Sequence, residues 1–167
     1  MTDTTDTTDE SGGKPTPWEL TVGEARRIAE EREAAGWETV LAQSGDTAVV
    51  TRAAGDDDRF GFYHLVPGET AEAIVDLDAD RFPEFRVYRR ETDTRAYQVT
   101  ELRNPERGAT VVVTGTYPVG DLTPVRETAT ATGRIYTRLF TLDRSLEFVF
   151  EHADPTPFFV EPERDAE

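Results

Sequence analysis

Cysteine is missing from this 167-residue chain, lysine and methionine occur once each, and histidine occurs twice. Without cysteine there is no disulfide, no thiolate nucleophile and no Cys-ligated zinc or iron–sulfur centre. A zinc site would have to combine both histidines, His64 and His152, with carboxylates, and they do not form an HExxH pair. No apolar run approaches the roughly 18–20 residues that a spanning helix needs. The opening MTDTTDTTDE also lacks the basic flank and apolar stretch of a secretory signal. These absences predict a soluble, cytoplasmic protein. Neither a Gly-x-Gly-x-x-Gly turn nor a Walker loop is present, so the usual phosphate cradles are missing and no cofactor is expected. The three serines, Ser11, Ser44 and Ser145, all lie outside any Gly-x-Ser-x-Gly elbow.

Acid is what the chain has in excess. There are 34 Asp and Glu against 18 Lys and Arg, a net charge of −16 and a pI near 4.5. The excess is spread along the chain, as at Glu30-Glu31, Asp56-Asp57-Asp58 and Asp76, Asp78 and Asp80. Lys14 is the only lysine, so the cations of the body are arginines. Such charge destabilises a compact chain by self-repulsion, and molar salt, with a Debye length of about 3 Å, screens it. An acidic shell, Arg for Lys and abundant Thr point to a salt-rich cytoplasm; the arginine bias of a GC-rich genome is the plainer alternative. The same charge argues against nucleic acid as a partner.

The Thr/Asp repeat of residues 1–15 is too polar to fold alone, so a disordered acidic leader, a single domain over 16–160 and a disordered acidic tail at 161–167 are expected. Thr16-Pro17-Trp18-Glu19 has the form of a capping box with proline at the first helical position, opening a helix to about Ala35. Its Leu20, Ala25, Ile28, Ala29 and Arg32 face inward, and Gly36 stops it. The period then changes to two. WETVLAQ and TAVVTRA read as a hairpin, FGFYHLVP as a strand, 69–80 as a helix, and FRVYRRE with RAYQVTEL as a second hairpin. ATVVVTGTYPV reads as a strand, 121–132 as a Thr-rich helix, and RIYTRLFTL with LEFVFEH as a last hairpin. The fold class is therefore α+β: an antiparallel sheet of about six to eight strands with three helices mostly on one face. The order strand, helix, hairpin occurs at 60–102 and again at 109–151, a candidate βαββ duplication.

Gly36-Trp37, Gly45-Asp46, Phe60-Gly61, Val66-Pro67-Gly68, Phe85 through Tyr88-Arg89, Gly133 through Tyr136-Thr137, and Phe150-Glu151-His152 with Asp154-Pro155 and Phe158-Phe159 resemble an uncharacterised family of small haloarchaeal proteins, a domain of unknown function. The resemblance spans about 17–160. It implies a halophilic cytoplasmic setting and brings no activity, cofactor or catalytic residue. Members often show Tyr-Thr-His where this chain has Tyr136-Thr137-Arg138.

Metal chemistry finds little purchase. Asp76-Leu77-Asp78-Ala79-Asp80 opens like a calcium loop, but Arg81 stands where that loop needs glycine and Val87 where it needs glutamate. Two constellations are left. Arg86, Tyr88 and Arg90 share one strand face and Arg134, Tyr136 and Arg138 another; side by side they would grip an anion or stack on a planar ring. On a solvent-facing sheet the same residues pair with cross-strand carboxylates for stability, which is the plainer reading. His152 with Asp154 is a candidate acid–base pair, or equally a strand-end turn whose side chains cap the backbone. The expectation is a non-enzymatic protein that binds another protein or a small ligand through the Arg/Tyr face or the apolar Phe158-Phe159 end. A small enzyme using His152 and Asp154, or a carboxylate pair, is the alternative. The oligomeric state is not legible.

Overall fold

A computed structural model describes residues 14–44, 46–51, 59–78, 82–160 and 163–164, so residues 1–13 of the leader, Asp56-Asp57-Asp58, Asp80 and all of the acidic tail but Glu163 and Arg164 lie outside the described residues. The first helix, α1 (Pro17–Ala34), starts as its sequence dictates. Thr16 Oγ1 accepts the Glu19 N–H at 3.1 Å, and the Glu19 carboxylate accepts the Thr16 N–H at 2.9 Å. Its buried stripe is Thr21, Ala25, Ile28 and Ala29, and the last three pack on Val99 and Val112 with Leu41 and Tyr88 alongside.

Among the described residues nine strands follow: β1 (Glu38–Gln43), β2 (Asp46–Val50), β3 (Gly61–Leu65), β4 (Glu84–Glu91), β5 (Arg95–Asn104), β6 (Ala109–Pro118), β7 (Ile135–Phe140), β8 (Glu147–His152) and β9 (Glu163–Arg164). They do not make one antiparallel sheet. A five-stranded sheet runs β1-β6-β5-β4-β9 and a four-stranded sheet runs β2-β3-β7-β8; the first holds two parallel pairs, β1 with β6 and β4 with β9, and the second holds one, β3 with β7. The fold is α+β with two mixed sheets. The hairpins β4–β5 and β7–β8 form as expected. The expected β1–β2 hairpin does not, because those strands enter different sheets. Alternation identifies a strand but not its partner, and β1 finds β6 some seventy residues on, pairing Glu38 with Ala109.

The helices are not gathered on one face either. Helix α1 packs on the outer face of the five-stranded sheet, where Arg32 binds Glu101 of β5 through Nε at 2.6 Å and Nη2 at 2.9 Å. Arg103 and Thr110 complete the shell of this fully buried carboxylate at 3.2 and 2.9 Å. Burial opposes ionisation of Glu101, yet these hydrogen bonds and the Arg32 and Arg103 charges together hold its carboxyl below the usual range. Helices α2 (Gly68–Leu77) and α3 (Leu122–Thr132) carry the chain from one sheet to the other. Ala71, Ile74 and Leu77 of α2 join a core with Val40, Ala42, Leu102 and Val111 of one sheet and Leu139 of the other. Leu122, Val125 and Ala129 of α3 join Phe62, Ile135, Tyr117, Ala96 and Phe158. The element order of the βαββ repeat is present twice, but the pairings differ: β3 lies parallel to β7, whereas β6 lies antiparallel to β5.

Between the sheets the core is partly polar. His64 of β3 is fully buried and its Nδ1 lies 3.0 Å from Thr47 Oγ1, which donates to Ser44 Oγ, which donates to the Asp46 carbonyl. With both hydroxyl protons committed in that direction, Nδ1 carries the imidazole proton. Burial pushes its pKa down to about 3, so the ring is neutral. Gly115 is required opposite it, since a Cβ there would stand 2.6 Å from Thr47 Oγ1 and 2.9 Å from the imidazole.

Candidate functional site

A groove of about 700 Å³ runs between α2 and β8. Ile74 and Val75 form one wall. Phe82, Pro83 and Phe85 form the next, and the β8 run from Phe148 to His152, continued by Ala153, forms the rest. The alternation of β8 explains its character: Phe148, Phe150 and His152 point between the sheets while Glu147, Val149 and Glu151 point outward. Because β8 ends its sheet, Phe148 and Phe150 are only half covered. Phe82 meets Phe150 edge-on at 5.6 Å, and Phe85 stacks on Phe158 at 5.2 Å.

His152 closes the inner end. Its ring lies 4.3 Å from Phe85 and 5.2 Å from Phe158, its Nε2 is 2.8 Å from Thr137 Oγ1, and burial lowers its pKa to about 4. It is therefore a neutral imidazole at neutral pH. Asp154, two residues on, is exposed and turned elsewhere: it accepts the Thr156 N–H at 3.1 Å, which lowers its pKa, and so caps the turn Thr156–Phe159. His152 reaches inward and Asp154 caps a backbone turn, so the two do not share a site.

The Arg/Tyr triplets stand on different sheets. Tyr88 and Arg90 of β4 line a pocket of about 370 Å³ together with Tyr97 of β5 and Thr21 and Glu24 of α1, while Arg86 is exposed and outside it. Arg89, on the opposite face, donates to the carbonyls of Phe158 and Val160 and ties down the chain after β8. The second triplet lies on the outer face of the four-stranded sheet. Arg138 is 3.0 Å from Glu147 and 4.6 Å above the Tyr63 ring, Arg134 is 3.8 Å from Glu151, and Tyr136 meets Phe60 edge-on. Those are cross-strand pairs, with Arg138 buried beneath its neighbours and Arg134 half in water. The Phe158-Phe159 end is not an apolar patch: Phe158 is buried, stacked on Phe62 and Phe85, and Phe159 lies under Arg126.

The groove residues Phe82, Phe85, Phe148 and Phe150 did not stand out in the sequence, where alternating aromatics read as ordinary core. The available signal was their number: four phenylalanines within two short segments, one leading into β4 and the other in β8. No group of three or more potential metal ligands occurs among the described residues, and no described helix is long and apolar enough to cross a membrane. No curated protein and no solved structure matches the chain. The model of a family of unknown function, DUF7529, matches residues 4–160, taking in most of the polar leader as well as the folded body, and the chain belongs to that family.

Proposed function

We propose that this is a non-enzymatic binding domain whose recognition site is the groove between α2 and β8. The observation that carries this reading is a cavity of about 700 Å³ walled by four phenylalanines, Ile74 and Val75, with Asp78, Glu151 and His152 as the polar side chains of its lining. Binding sites commonly combine that volume, roughly 300–1,000 Å³, with apolar lining and a few fixed polar groups. Val75 is half exposed and Val149 more than a third exposed, so apolar surface is open to an occupant. An enzyme built on His152 and Asp154 has less support, since one ring is buried on Thr137 and the other side chain caps a turn.

The setting we infer is a salt-rich cytoplasm, of the haloarchaeal kind. Its support is the charge of −16 with a single lysine. Stability that rises steeply with KCl into the molar range is expected, and equal stability in dilute buffer would remove this inference. For the groove, the dye 1-anilinonaphthalene-8-sulfonate should bind the native chain and fluoresce. Val75→Asp should weaken that binding several-fold with unchanged circular dichroism, whereas Leu142→Asp, on an exposed loop residue, should not. Equal dye binding by both variants would defeat the reading.

A further inference from the structure

We infer that the occupant of the groove is an extended segment of a partner protein, added to β8 as a fifth strand of its sheet and carrying apolar residues alternating with basic ones. This rests on the groove being a recognition site. The register shows which backbone groups are available. Tyr136 donates its N–H to the Phe60 carbonyl and the Phe140 carbonyl accepts from Val66, so residues 136, 138 and 140 of β7 turn their backbone toward β3. Their Cα partners on β8 are Glu151, Val149 and Glu147. The backbone N–H and C=O groups of these three residues therefore point away from β7, to an edge on which no described strand lies.

The groove follows that edge. Its lining includes every residue from Phe148 to Ala153, both the inward and the outward members of the alternation, which is the footprint of a channel running along a strand's edge. Six residues of strand span about 20 Å, the length of an extended peptide. A compact apolar molecule would leave the edge amides unused, whereas an added strand pairs with them and sends alternate side chains toward Phe148 and Phe150. Charge completes the description. Asp78 and Glu151 line the groove and no lysine or arginine is among the described lining residues; Arg134 meets Glu151 only at 3.8 Å, with more than half of that side chain in water, so the carboxylate stays open to a second cation. A partner strand with lysine or arginine at the alternate positions complements that rim.

The test uses the full chain and a fluorescein-labelled hexapeptide of alternating lysine and valine, followed by fluorescence anisotropy. Two versions are N-methylated on complementary sets of alternate amides. Strand addition expects one version to bind at least about tenfold more weakly than the other, because only one set of amides faces β8. Val149→Pro removes an N–H that the β7 ladder does not use, and it should weaken the unmethylated peptide to a similar degree. Should that variant fail to fold, the methylated pair still decides. Equal binding of the two methylated peptides would overturn strand addition while leaving dye binding in the groove intact. Failure of both peptide and dye on the native chain would overturn the groove reading with it. A native chain that sediments as a dimer and ignores the peptide would replace the partner by a second copy.

Discussion

The hairpins β4–β5 and β7–β8 occupy matching places in the strand–helix–hairpin order, and both carry Arg-x-Tyr-x-Arg in or beside their first strand. They end in different circumstances. The outer face of the first is covered by α1 and its edge by β9. Among the described residues, no helix packs on the outer face of the second and no strand lies along the β8 edge. Where a helix covers the sheet, a carboxylate must be desolvated, and Glu101 is held by Arg32, Arg103 and Thr110. Where nothing covers it, Arg134 and Glu151 meet loosely with about half of each side chain in water. Charged pairs thus form a buried lock beside the first hairpin and a solvated surface pair on the second, and cover decides which.

The sharpest way to break the contrast is Glu101→Gln. It strips the countercharge from Arg32 and Arg103 and should cost about 3–5 kcal/mol in denaturant unfolding. A loss below about 1 kcal/mol would mean that α1 is not locked by this cluster. The two buried histidines give the next effect. Their folded pKa values, about 3 for His64 and about 4 for His152, lie below the unfolded value near 6.5. Their contribution is complete above pH 6.5 and is lost as pH falls, at about 1.4 kcal/mol per pH unit for each ring, until each folded pKa is reached. His152→Gln should therefore flatten the fall in stability between pH 6.5 and 4, measured by urea titration at several pH values; an unchanged slope would place that protonation elsewhere. The smallest effect belongs to the uncovered hairpin. Arg134→Ala should change stability by less than about 1 kcal/mol, and a larger loss would erase the difference between the two hairpins.

Much of the local structure was legible before the tertiary arrangement. The capping box at Thr16 and Glu19, the glycine in left-handed conformation at Gly133 after α3, and the hairpin turns each depend on residues within a few positions of one another. The inward placement of Arg32 was readable from helical period, although its partner Glu101, 69 residues away, was not. The candidate site was less legible. Tyr88 and Arg90 do share a pocket, but the two Arg/Tyr triplets lie on separate sheets and Phe158 is core. The phenylalanine groove depends on α2 passing beside a strand edge, and no spacing along the chain encodes that.

By itself, the amino-acid sequence determined an acidic, cysteine-free α+β chain with these helices and most of these strands, because period, capping and turn chemistry act over a few residues. Only the tertiary structure decided that β1 leaves β2 for β6, that the strands divide into two mixed sheets, and that β8 ends its sheet, among the described residues, beside its phenylalanines. Strand pairing is non-local: the alternation that buries one face of a strand is satisfied by many partners, and packing of the whole chain selects among them.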